Sequence, residues 1–217
     1  MRKTALTFIS LLLCAVCAFA DRADNWGRDQ TAIEALLQQK RYADARKASI
    51  KLTNHMLDHM GVSDEAALLA RTVALRAAAE DGLGNVDDTN WYRQVAKLLD
   101  PQVVLPTMTT PVPEPIEVRH VGLPEADAAS GKTEAPQRIR KRDPERPGIV
   151  NALGVAMAVI EVAIDVDGVV KQPRVVSSPA PSVSYAALEA IKQWRFRPGT
   201  KDGKPVPILF HLTITMH

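Results

Sequence analysis

The chain has 217 residues, 46% apolar and 24% charged, a composition that excludes both a wholly disordered chain and a multi-span membrane protein. Its formal charge of +2 comes from a leader: with Arg2 and Lys3 set aside, the 27 basic residues fall to 25, equal to the 25 acidic ones. Nothing global therefore steers the protein toward nucleic acid.

Residues 1–20 read as a secretory signal, with Arg2 and Lys3 at the charged start, an apolar run over residues 6–16, and Ala18-Phe19-Ala20 as the cleavage site before Asp21. An uncleaved leader would be a membrane anchor, although the apolar run is shorter than the roughly 20 residues of a spanning helix. Cys14 and Cys17 both lie inside this segment, so a mature chain beginning at Asp21 has no thiol and no disulfide.

No proline precedes Pro101, whereas nine of the fifteen fall between Pro101 and Pro147. Proline fixes φ and removes a donor, so this distribution separates a helical region from a tether. Helical spacing places Ile33, Leu36 and Leu37 on a helix over 31–39, and Ala45, Ala48, Leu52, Met56 and Met60 on one over 42–60 that Gly61 ends. Ser63 is placed to cap a third helix over 64–79, broken by Gly82-Leu83-Gly84, and a fourth over 87–99 stops before Asp100-Pro101. Tyr42 and Ala45 after a short turn, Gly82-Leu83-Gly84 and the Leu99-Asp100-Pro101 ending resemble tetratricopeptide repeats loosely, over about two degenerate repeats; the resemblance implies a docking surface rather than a catalyst. An unrelated four-helix bundle fits the same spacing.

Residues 101–143 carry prolines at 101, 106, 111, 113, 115, 124 and 136, with few large apolar residues. Such a segment reads as an extended or flexible linker, with a reach on the order of 130 Å at polyproline geometry. From Gly154 the texture changes. A valine- and isoleucine-rich strand over 154–165 meets the hairpin turn Asp167-Gly168, and a second strand returns over 169–177. Ser182 or Ser184 then caps a helix that runs to Gln193 and buries Tyr185, Leu188 and Ile191. After the turn Lys201-Asp202-Gly203-Lys204, a last strand alternates Ile208, Phe210, Leu212, Ile214 and Met216 against Leu209, His211, Thr213, Thr215 and His217. The expected fold is multidomain: signal peptide 1–20, all-α helical hairpins 21–100, proline-rich linker 101–143, and an α+β domain 144–217 with a β-β-α-β antiparallel sheet and one helix.

The run Ile164-Asp165-Val166-Asp167-Gly168-Val169-Val170, then Arg174-Val175-Val176-Ser177-Ser178, Ala186-Ala187-Leu188-Glu189-Ala190, Trp194-Arg195-Phe196-Arg197-Pro198 and Asp202-Gly203-Lys204-Pro205-Val206-Pro207 resembles the C-terminal domain of the TonB energy transducers over about residues 136–217. The resemblance implies a periplasmic, non-enzymatic module that takes up a short peptide of an outer-membrane receptor or other envelope protein. It also implies work with inner-membrane motor proteins. Such a peptide adds to an exposed strand edge, for which Val206, Ile208, Leu209, Phe210, His211, Leu212, Thr213, Ile214 and Thr215 are the candidate residues. The same edge could pair with a second copy, as a homodimer, and a structural or tethering protein without energy transfer is the alternative function.

Three features depart from that family. Arg146 stands where a tyrosine is usual in a proline-x-tyrosine-proline element, residues 4–20 hold no histidine, and a helical unit precedes the linker. Trp194 and Phe196 read as core, with Arg195 and Arg197 pointing outward. Arg138, Arg140, Lys141 and Arg142 form a basic cluster that reads as solvated linker. His55 and His59 share a helix face around Asp58 but lack a third ligand, and Asp165-Val166-Asp167-Gly168 has Val176 where a calcium loop needs glutamate. No catalytic residue, metal or cofactor is therefore expected.

Overall fold

The structure is a computed structural model that describes residues 23–61, 65–120 and 133–217, leaving aside the side chains of Arg119 and His120. The leader with its cleavage site and the cap expected at Ser63 lie outside the described residues.

Four helices come first: α1 over residues 23–38, α2 Tyr42–His59, α3 Ala66–Gly82 and α4 Val86–Leu99. Helix α1 begins well before the expected residue 31, because Trp26 and Gln30 extend its buried face by two turns. Trp26 is 1% exposed, and the Gln30 Nε2 donates to Leu68 O at 2.7 Å and Thr72 Oγ1 at 2.9 Å, tying α1 to α3. The Tyr42 ring lies so close to Gly82 that a β-carbon there would overlap it, so glycine ends α3 for reasons of space as well as capping.

Residues 101–118 differ from the expected tether, since side chains of the helical unit fasten their backbone. Lys97 Nζ donates to Pro101 O and Val103 O at 3.0 and 2.8 Å, and Arg93 Nη2 donates to Thr110 O at 2.7 Å. The Asp81 carboxylate accepts from the backbone N–H of Thr109 at 2.8 Å and of Thr110 at 2.7 Å. Composition ruled out a core in this stretch, yet prolines leave carbonyls free, and the helices supply the donors.

The C-terminal unit holds more strands than the four elements expected. β1 Arg119–His120, β2 Thr133–Glu134 and β3 Gln137–Arg140 precede a short helix α5 Val150–Leu153. Then follow β4 Ala156–Ile164, β5 Val170–Ser177, helix α6 Pro181–Lys192, β6 Arg195–Arg197, β7 Thr200–Lys201, β8 Lys204–Pro205 and β9 Ile208–Met216. The main sheet has the order β1-β9-β4-β5, with β9 antiparallel to β4 along its whole length. Neither Ser182 nor Ser184 caps α6: Pro181 takes its first position behind Ala180, and Ser184 Oγ bonds back to Ala180 O at 3.3 Å.

Helix α6 joins the two units. The sequence predicts one buried face, but nine of its residues are buried, with Ala186, Ala187 and Ala190 letting neighbours approach on both sides. One face packs on β4 and β5 and the other on α2, α3 and α4, so a single apolar cluster extends from Trp26 to Met216. Polar groups meet across this joint, although Arg76 Nε and Glu189 Oε1 are buried without a hydrogen-bond partner among the described residues. Arg76 Nη1 donates to Tyr185 Oη at 3.1 Å and to Glu189 Oε2 at 3.4 Å, and its guanidinium lies 3.9 Å from the Tyr92 ring centroid. Lys192 Nζ donates to Tyr92 Oη at 2.9 Å and pairs with Asp88 at 2.8 Å. Gly148 N–H adds a bond to Leu57 O at 2.9 Å.

Burial pushes the Tyr92 and Tyr185 phenols above their ordinary value; the Glu189 carboxylate adds to this and Arg76 opposes it. In the unfolded chain a tyrosine ionises near pH 10, so above about pH 10 the folded state holds more protons and each phenol removes up to ~1.4 kcal/mol of stability per pH unit. Urea unfolding of the full chain is expected to weaken from about pH 10 upward, with a shallower decline in Tyr92→Phe. An identical decline in the Tyr92→Phe/Tyr185→Phe double variant would refute the buried joint.

Candidate functional site

The alternation of the last strand sorts its side chains. Ile208, Leu212, Ile214 and Met216 are buried, the last three in the same apolar cluster as Trp194, while Phe210 is half-buried and His211, Thr213 and Thr215 face out. The apolar half can therefore meet a partner only through its backbone. Val206 lies before the strand, its N–H given to Gly199 O at 3.0 Å, and Pro207 has no N–H, so pairing starts at Ile208.

One flank of β9 is filled from Ala156↔Met216 to Ile164↔Ile208 by β4. On the other flank β1 runs parallel over two pairs, Arg119↔Ile208 and His120↔Leu209. Among the described residues no strand pairs that flank from Phe210 to Met216, which leaves a row of backbone N–H and C=O groups. On the exposed face of the sheet, Glu161 Oε1 accepts from Arg174 Nε at 2.8 Å and Glu161 Oε2 lies 3.2 Å from His211 Nε2, a cross-strand chain that holds β5, β4 and β9 in register.

The rigid base under this edge is Trp194. It is 1% exposed, donates from Nε1 to Arg142 O at 2.7 Å, and packs its ring 6.4 Å from Phe196. Phe196 in turn meets Phe210 edge-on at 6.4 Å between centroids, which places β9 over the aromatic core. Arg195 and Arg197 point outward, as the alternation predicts.

Residues 156–215 match the family model described as the Gram-negative bacterial TonB protein C-terminal. Residues 156–215 are a TonB C-terminal domain. A 73-residue stretch is also 38% identical to Protein TonB of Vibrio cholerae serotype O1 (strain ATCC 39315 / El Tor Inaba N16961), covering 33% of this chain and 30% of that protein. The chain thus spans about a third of the length of that relative.

Sequence reasoning missed what frames the edge of the TonB domain. Residues 137–140, read as solvated linker, form β3 and pair with β6 through Gln137↔Arg197, Arg138↔Phe196 and Arg140↔Arg195. The basic residues following β3 come to lie beside the end of β9. The signal available was the alternation Gln137-Arg138-Ile139-Arg140 before a proline-bounded run, which is too short to separate from a charged linker. The His55 and His59 rings lie 4.4 Å apart between centroids, tilted by 41°, at the end of α2, and among the described residues no group of three or more His, Cys, Asp or Glu is placed to hold a metal.

Proposed function

We propose that this chain is a TonB-like envelope protein that takes up an extended peptide of an outer-membrane receptor or another envelope protein along the free flank of β9. The observation that carries this reading is the backbone from Phe210 to Met216, which no strand among the described residues pairs on the flank away from β4. A strand laid there gains main-chain hydrogen bonds at every second residue, and side chains at Thr213 and Thr215 set which residues fit on the exposed face. The aromatic base of Trp194, Phe196 and Phe210 keeps the edge straight, so little ordering is left for binding to supply. In this reading the module transmits force from inner-membrane motor proteins without chemistry of its own.

Titration of the full chain with a receptor-box peptide, followed by 15N NMR, is expected to shift amides in residues 208–216 and leave α1 to α4 unmoved. Shifts confined to the helices, or none on saturation, would defeat the proposal.

A second reading is that the domain tethers the helical unit to an envelope partner, or to a second copy, without passing energy. The buried joint at α6 favours it, since the helices and the sheet share one core instead of being separated by a free linker. The two readings part at the N-terminus of the protein in the cell. Mass spectrometry finding residues 1–20 intact supports transduction through an anchor, and a chain starting at Asp21 supports the tether.

A further inference from the structure

The free flank of β9 does not open onto bare solvent at its far end. A groove of about 460 Å³ runs along residues 213–217, and its opposite wall is the segment from Arg138 to Arg146. No residue of β4 lines it, so it lies on the unpaired side of the strand. Three cationic side chains, Arg138, Lys141 and Arg146, line the groove against one acidic side chain, Asp143. Lys141 already pairs with Asp143 at 2.6 Å. Arg138 is spread over the Trp194 ring at 4.7 Å, and Arg146 is exposed with no ion-pair partner among the described residues.

The surrounding ribbon reinforces this sign. On β3 and β6, Arg140 stands directly opposite Arg195, a like-charge pair that opposes ribbon formation. A counter-charge from outside would relieve that repulsion. Asp143 shows how the site treats an anion: its hydrogen bond from Lys141, with the charges of Lys141 and Arg138, holds it below the usual carboxylate range.

We infer that this groove reads the end of the incoming strand, selecting extended peptides that carry aspartate or glutamate just beyond the segment paired with β9. The inference rests on the edge-pairing function proposed above and adds to it a specificity element. Arg146 is then a recognition residue, and Arg138 is positioned for the same task by the Trp194 face.

The test uses the full chain and two peptides with the same alternating Thr/Val heptad, one flanked on both sides by Asp-Glu and the other by Asn-Gln, so that either strand direction presents the charge. At 0.05 M salt the acid-flanked peptide is expected to bind about fivefold tighter by calorimetry, with the ratio falling toward one at 0.5 M as exposed charges are screened. Arg146→Glu, a change at an exposed residue that leaves the fold unburdened, is expected to bring the ratio to one or below, and Arg138→Gln to reduce it. Equal affinities in the unaltered protein, or a ratio that survives Arg146→Glu, would overturn the inference while leaving edge pairing in place. If neither peptide shifts the β9 amides, the edge-pairing function fails and the inference with it.

Discussion

Trp194→Ala is expected to destabilise the protein by about 3–5 kcal/mol, read as a fall in the urea midpoint of the full chain. The side chain is among the largest fully buried ones, and its removal leaves a cavity between α6, β6 and the 138–146 segment. It also leaves the Arg142 carbonyl without its 2.7 Å donor and takes the ring from under Arg138. Trp194→Phe retains most of the volume and loses only the N–H, so it is expected to cost about 1–2 kcal/mol. A loss below about 1 kcal/mol for the alanine variant would show that the base of the β9 edge is not where the aromatic core is placed.

Gly168→Ala is the second large effect, about 2–5 kcal/mol. Gly168 has φ of +74°, a conformation that costs an L-residue about 1–2 kcal/mol. Its α-carbon also faces the Phe196 carbonyl so closely that a β-carbon would overlap it, and relieving the overlap displaces either the hairpin or β6. The turn is tied there from both directions. Phe196 N–H donates to Gly168 O at 2.9 Å, and Asp165 Oδ1 accepts from Val169 N–H at 2.8 Å within the turn. Gly203, also at positive φ (+76°) but with open space around its α-carbon, provides the control: Gly203→Ala should cost only the conformational part. Equal losses at the two glycines, by thermal or urea unfolding, would remove the close approach from the explanation.

These two positions also show what the sequence makes legible. Asp167-Gly168 announces a hairpin because so few dipeptides accept that turn, and Trp194 and Phe196 announce core because they alternate with arginines. The nine-residue alternation of β9 is equally readable, as are the helices α2 to α4, whose apolar spacing is long and uninterrupted. What stayed hidden depends on pairing between distant segments. Strands of two to four residues, such as β1, β2 and β3, have too few positions to show a period, and their partners lie about 60 to 90 residues away in the chain. The second buried face of α6 was hidden for another reason. Alanines at 186, 187 and 190 fit an exposed helical face as well as a closely packed one, and only the helical unit lying against them decides. The linker misled by composition: prolines do prevent helix and sheet over 101–118, but they do not prevent fastening by Asp81, Arg93 and Lys97.

The candidate edge follows the same division. That β9 is a strand could be read from its residues, whereas the short parallel β1 at Ile208 and Leu209 and the cationic groove beyond Thr213 follow from chain paths that no local pattern encodes. In the proposed function they define a stretch of seven residues in which a partner strand would have backbone to pair with and a charged end to meet.

Residue-resolved hydrogen exchange of the full chain, with and without a saturating receptor-box peptide, tests the open flank most directly. The account predicts that alternate amides from Phe210 to Met216 exchange quickly in the free protein and gain protection with peptide, while the intervening amides, bonded to β4, are slow in both states. Uniform protection along β9 before any peptide is added, or no gain at saturation, would contradict it.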